Sequence, residues 1–356
     1  MSMQRGTDAP DIVFTGCSVT NSNAAPFTPA PGAKRREVVV KGKRIKTVDV
    51  HAHCLIPEAV KLATQSVTEV HRPGMILGEE RIRQMDHMGI DVEALSINPY
   101  WYRTEREVAT EIVRIQNEKL AEFCGQHPDR FVAFASVALQ YPDLAVQQLE
   151  HAVKKLGLRG AAVGASVAGD EFANAKFHPF WAKCEELDVL VFLHPQSTPE
   201  LAGRFNGNGW LSNVIGNPLD TTIALAHLIF EGTLDKFPGL KICAAHGGGF
   251  LGSYKNRMDH GCRITPSECN PAIKLKKKPS EYMNDLYFDS LVFTSEALRH
   301  LAAEVGSSQI VIGTDHPIPW NPNPVDHIMS TDSLTDDEKI AILGGTAAKL
   351  LKISDA

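Results

Sequence analysis

Eight short, almost unbroken apolar runs begin at residues 47, 92, 131, 160, 189, 241, 286 and 309, separated mostly by amphipathic segments of helical period. Strands that alternate with helices lie parallel, and runs apolar at every position imply burial on both faces. Eight such units in 356 residues predict an α/β chain closed into a (β/α)8 TIM barrel. A doubly wound open sheet is the alternative, but no GxGxxG follows the first strand to give it a dinucleotide role. Residues 1–35, rich in Pro, Ala, Ser, Thr and Asn, read as a flexible N-terminal extension, and residues 36–356 as one barrel entered through a strand pair turning at Gly42.

A barrel of this kind carries its chemistry at the C-terminal ends of its strands. The polar residues at those ends are His51 and His53 on the first strand, His194 on the fifth, His246 on the sixth, Asp289 on the seventh and Asp315 on the eighth. His51 and His53 are two residues apart in an extended strand, so they share a face. Two neutral imidazoles converging at a strand end form half of a divalent-metal site, and further strand-end His and Asp residues supply the rest. A lone strand-end histidine is more often a hydrogen-bonded core residue; so many at once point to a metal.

Composition narrows the partners. A formal charge of -6 gives no electrostatic reason to expect nucleic acid or anionic membrane, and no stretch is long and apolar enough to span a bilayer. The seven cysteines (17, 54, 124, 184, 243, 262 and 269) are scattered and never spaced CxxC, which predicts reduced thiols and a cytoplasmic protein.

From about residue 47 onward the chain resembles the amidohydrolase superfamily, in the amidohydrolase-related branch that contains aminocarboxymuconate semialdehyde decarboxylase. The resemblance is carried by Asp49-Val-His-Ala-His53, Glu80-Arg-Ile-Arg-Gln-Met-Asp86, Phe192-Leu-His-Pro195, Ala245-His-Gly-Gly-Gly249 and Gly313-Thr-Asp-His-Pro317, five motifs in the family's order. It implies that His51, His53, His194 and Asp315 bind one metal, with His246 beside it as acid/base and Asp315 able to share the proton transfer. Zinc suits a mostly imidazole set, and manganese is possible. The fourth strand offers no lysine that could bridge two metals, so a mononuclear site is expected.

Chemistry follows from such a site. A divalent ion lowers the pKa of bound water and polarises a substrate oxygen, and a histidine can then move protons. The resemblance implies a non-oxidative decarboxylase of an aromatic or unsaturated carboxylic acid; a hydrolase or hydratase on the same site is the alternative. It also implies a homodimer in which Arg257 reaches the neighbouring active site. Trp210 matches a pocket-lining aromatic, and Arg103, with Arg72 as the other candidate, is an expected carboxylate contact, since arginine suits bidentate carboxylate recognition. The cluster Tyr100-Trp-Tyr-Arg103 is expected either to line an aromatic pocket or to cover the surface. The segment 249–257 and a shortened first loop depart from the family pattern, so the pocket is expected to differ from that of the muconate semialdehyde enzyme.

Overall fold

The computed structural model describes residues 12–15, 18–21, 34–63, 67–196, 198–269 and 272–354. Eight parallel strands form the frame: β1 (Val48–His53), β2 (Val92–Ser96), β3 (Phe131–Ala133), β4 (Gly160–Val163), β5 (Leu190–Leu193), β6 (Lys241–Ala244), β7 (Tyr287–Asp289) and β8 (Ile310–Val311). Strands β1 to β3 pair in sequence, as do β4 to β8. Bridges between Ala135 and Ala161, and from Asp49 to Ile312 and Ala52 to His316, join the two sheets into a closed barrel. The expected (β/α)8 architecture is therefore present.

Helices return the chain between strands: α1 (Glu79–Met88), α2 (Arg106–Gln126), α3 (Pro142–Lys154), α4 (His178–Leu187), α5 (Asn217–Phe230), α6 (Leu251–Ile264) and α7 (Ser295–Val305). Their ends follow local chemistry. α1 stops at Gly89, which takes the left-handed conformation that glycine adopts without a Cβ penalty. α7 starts at Thr294, whose hydroxyl accepts the Ala297 N–H. The entry pair Val38–Val40 and Lys43–Ile45 turns through Lys41 and Gly42, both at positive φ, as a two-residue hairpin requires.

Two apolar layers result. One lies between the barrel and its helices. The other fills the barrel with Val48, Val50, Val92, Ala94, Phe134, Leu190, Phe192, Cys243 and Val311, and continues to Ala347, Leu350 and Leu351 of α8 (Thr346–Leu350). That helix closes the end opposite the strand C-termini. At Gly344 the chain passes so near Lys46 that a Cβ would stand 2.0 Å from its carbonyl oxygen.

One expectation changes. Cys262 and Cys269, at the end of α6, form a disulfide rather than remaining thiols; Cys54, Cys124, Cys184 and Cys243 are free. Separation by seven residues let the two meet where α6 ends and the chain turns back. Cys17 and most of the expected 1–35 extension lie outside the described residues, apart from a short antiparallel pair at Ile12–Thr15 and Ser18–Asn21. Among the described residues no helix is long and apolar enough to cross a membrane.

Candidate active site

The two histidines of β1 point inward because the strand is irregular. Val48 and Val50 already face the barrel interior, so undisturbed alternation would send His51 and His53 outward. Between Asp49 and Ala52 the register with β2 slips: Asp49 faces Glu93, while Ala52 faces Leu95. A bulge of one residue reverses the alternation and turns both imidazoles inside. Asp49 holds it, accepting the His51 N–H at 2.9 Å on one oxygen and the Thr314 hydroxyl at 2.5 Å on the other. In the sequence Asp49 is legible only as part of the first motif, without a task of its own.

His51, His53, His194 and Asp315 are all buried, and a ligand atom from each lies within 4.8 Å of the other three. His53 Nε2 stands 2.9 Å and His51 Nε2 3.3 Å from Asp315 Oδ1, with 3.0 Å between the two imidazole nitrogens. The far nitrogens fix the tautomers. His51 Nδ1 donates to Asp289 Oδ2 at 2.6 Å. Ser96 spends its hydroxyl proton on the Ala52 carbonyl, so at 3.0 Å it accepts from His53 Nδ1. With each ring neutral, both arrangements turn an unprotonated Nε2 to the centre, as metal-ligating histidines require. His194 is buried with neither ring nitrogen hydrogen-bonded among the described residues. An orphaned buried imidazole is costly unless something else takes its lone pair.

Charge points the same way. Burial works against ionisation of Asp315, but His51, His246 and His53 outweigh it and hold the carboxyl well below the usual range. Burial pulls His51 down, yet Asp315 and Asp289 hold it up at about 10. Burial lowers His53, and drives His194 well below its ordinary value with help from the neighbouring imidazoles. The carboxylate thus calls for positive charge, while His53 and His194 resist protonation, and a divalent cation satisfies both. The donor set fits one such ion.

His246 sits beside the cluster, its Nε2 3.9 Å from Asp315 Oδ2 and its ring centroid 5.2 Å from that of His51. Its side chain is partly exposed, and its Nδ1 has no partner among the described residues. His246 and Asp315 both hold positive φ (57° and 62°), a strained backbone common at working sites. Asp289 supports the first of these, accepting the His246 N–H at 2.9 Å and the Gly247 N–H at 2.8 Å. Its position at the end of β7 was the only signal in the sequence for this role.

A cleft of about 370 Å³ opens over the cluster, lined by His53, His194 and Asp315 at its floor and by Arg72, Tyr100, Asn213, Asn217, Trp210 and Trp320 above. Trp210 stacks on Trp320 with centroids 5.7 Å apart and planes at 10°. Arg72 has no ion-pair or hydrogen-bond partner for its guanidinium among the described residues. Arg103 is exposed and does not line this cleft, and Tyr100 is the one member of the 100–103 cluster that does. Trp101 is wholly buried with its indole N–H on the Val137 carbonyl, and Tyr102 turns to Gly164, so the chain points Arg103 away. Arg257 lies exposed on α6, outside the cleft of its own subunit. Asn213, Asn217 and Trp320 carried no sequence signal. The first two stand four residues apart across the turn of π-helix Ser212–Gly216 and the start of α5.

Comparison with known proteins agrees with this architecture. The chain is 30% identical over 275 residues to 2-amino-3-carboxymuconate-6-semialdehyde decarboxylase of Dictyostelium discoideum, covering 76% of this chain and 75% of that one. It is 30% identical over 326 residues to gamma-resorcylate decarboxylase of Rhodococcus jostii, covering 86% and 98%. The crystal structure of dihydroxybenzoic acid decarboxylase from Polaromonas sp. JS666, with bound manganese and the inhibitor 2-nitroresorcinol, superposes with a TM-score of 0.78 at 27% identity, covering 88% of this chain and 98% of that one. Residues 48–353 match the amidohydrolase family from the start of β1 to beyond the closing helix, and the chain belongs to that family.

Proposed function

We propose that the protein is a metal-dependent, non-oxidative decarboxylase of an aromatic or unsaturated carboxylic acid. The observation that carries this reading is the buried convergence of three imidazoles and one carboxylate, with a fourth imidazole, His246, beside them in an adjoining pocket that shares Asn213, Asn217 and Trp320 with the cleft. In this reading His51, His53, His194 and Asp315 hold one divalent ion. Such an ion supplies a Lewis acid that polarises a substrate oxygen and steadies negative charge. Zinc suits the imidazole-rich donor set; the manganese in the Polaromonas relative makes that metal the other candidate.

The chain's own residues supply the rest. Arg72, whose guanidinium has no partner among the described residues, takes the substrate carboxylate, and the Trp210–Trp320 stack gives a planar ring a face to lie against. His246 donates a proton from Nε2 to the carbon bearing the carboxylate. The carbon–carboxylate bond then breaks, its electron pair returns to the unsaturated system, and CO2 leaves; His246 is reprotonated from the open side of the cleft. Asp315, 3.9 Å from His246 Nε2, orients the imidazole and can share the proton. We propose in addition a cytoplasmic homodimer in which Arg257 enters the neighbouring cleft. Its exposure on α6, beside exposed Phe250 and Tyr254, supports an interface there.

The test is metal content together with CO2 release from a panel of hydroxybenzoates, carboxyvanillate-like acids and muconate semialdehydes. About one metal per subunit with CO2 from any member is the expected result. One metal per subunit with no CO2, but turnover of lactones or amides, would replace decarboxylation by hydrolysis.

A further inference from the structure

The motif Glu80-Arg-Ile-Arg-Gln-Met-Asp86 contributes nothing to the cleft, yet Arg81 is one of the most deeply buried charges in the molecule, 2% exposed on the inner side of α1. Its Nε donates to Glu93 Oε2 at 2.6 Å. Nη1 donates to the His53 carbonyl at 2.8 Å and the Gly74 carbonyl at 3.3 Å, and Nη2 to the His316 carbonyl at 3.4 Å. Glu93, on the outer face of β2, turns its other oxygen to His316 Nδ1 at 2.7 Å, and His316 Nε2 meets Gln84 Oε1 at 2.8 Å. The His316 carbonyl also accepts the His53 N–H at 2.6 Å. Both backbone polar groups of His53 therefore end in this network, and His316 is the residue next to Asp315.

Burying an ion pair costs several kcal/mol of hydration per ion, and well-packed apolar side chains commonly stabilise such a place as well or better. Apolar side chains cannot grip carbonyls. The planar guanidinium fork reaches three carbonyl oxygens and a carboxylate from one point, a geometry that lysine lacks. Two of the gripped carbonyls, those of His53 and His316, lie at the end of β1 and just beyond β8, the two strands that bring His53 and Asp315 to within 2.9 Å of each other.

We propose that Arg81, held by Glu93 and with His316 as the link, is a positioning residue for the metal centre: from behind the barrel wall it sets the spacing of His53 and Asp315, and so the affinity and coordination geometry of the ion. The proposal rests on the metal-site reading above. It involves no contact with substrate.

The test compares the full-length protein with Arg81→Lys, Arg81→Met and Glu93→Gln. The readouts are zinc and cobalt(II) affinity by chelator competition, the visible d–d spectrum of the cobalt-loaded protein, and the thermal midpoint. Arg81→Lys keeps a positive charge for Glu93 but loses the grip on the carbonyls. It is expected to stay folded with a midpoint near wild type, to bind metal about 10- to 100-fold more weakly, as loss of outer partners of metal ligands does, and to shift the cobalt spectrum. Arg81→Met is expected to show the same loss or a larger one; if it fails to fold, Arg81→Lys and Glu93→Gln carry the comparison. Folded Arg81→Lys and Glu93→Gln variants with wild-type affinity and an unchanged cobalt spectrum would overturn the proposal, even if their thermal midpoints fell. Wild-type protein that binds neither metal would instead remove the metal-site reading, and this proposal with it.

Discussion

His51 Nδ1 stands 2.6 Å from Asp289 Oδ2, and neither side chain has any solvent exposure. The same carboxylate accepts the backbone N–H groups of His246, Gly247 and Leu291. One buried acid at the end of β7 thus orients a candidate metal ligand and the candidate acid/base together. Asp289→Ala is expected to weaken metal binding about 10- to 100-fold and to lower turnover further than metal loss alone explains. Chelator competition on the purified variant measures the first effect; an unchanged metal affinity would separate Asp289 from the site.

His246 and His194 should part company under mutation. His246→Asn is expected to lower turnover by about 10²- to 10⁴-fold, the usual yield of a positioned proton donor, with metal content unchanged. His194→Ala is expected to lose the metal itself. Metal analysis beside steady-state rates distinguishes them, and full activity in His246→Asn would move the proton donor elsewhere.

The two arginine candidates for the substrate carboxylate differ in place. Arg72 lines the cleft and Arg103 does not. A charge-assisted hydrogen bond contributes about 1.5–3 kcal/mol, so Arg72→Ala should raise KM by roughly 10- to 100-fold. Arg103→Ala should leave it within experimental error. The reverse pattern would return Arg103 to the site.

A shared active site makes a prediction that no single-subunit scheme makes. If Arg257 serves the neighbouring cleft, Arg257→Ala and His246→Asn homodimers are each impaired. Mixed dimers of the two restore one intact site out of two. Recovery of activity on refolding the two variants together checks this, and continued inactivity of an equimolar mixture that has exchanged subunits would place Arg257 on its own subunit's business.

Asp220 on α5 carries a pH signature in stability. Burial, aided by Glu171 and Glu200 and only partly offset by the Gln196 N–H at 2.8 Å, pushes its carboxyl up to about 7. The folded state therefore holds a proton that the unfolded chain releases near 3.8, and this contribution is lost as pH rises from there through about 7. Between pH 5 and pH 8 wild type should lose about 2.6 kcal/mol more unfolding free energy than Asp220→Asn, at 1.36 kcal/mol per unit. Parallel denaturant curves at the two pH values test it; equal losses would show Asp220 ionised throughout.

Much of the frame was legible in sequence because its causes are local. Apolar runs of strand length between amphipathic helical repeats can be buried on both faces only in a parallel sheet, and strand-end residues in a barrel share one rim. That rule places His51, His53, His194, His246 and Asp315 on one rim, but not the direction in which each ring turns. The bulge that turns His51 inward was not legible, since it depends on Asp49 finding Thr314, which is 265 residues away. Nor was it legible that Arg72 lines the cleft and Arg103 does not, since Trp101 and Tyr102 bury themselves beneath the rim and leave Arg103 exposed. The Cys262–Cys269 bond depends on where α6 ends. Periodicity determined the barrel and its catalytic rim. Long-range hydrogen bonds and packing, which no local pattern encodes, decided which way each side chain turns, what holds it there and which residues wall the cleft.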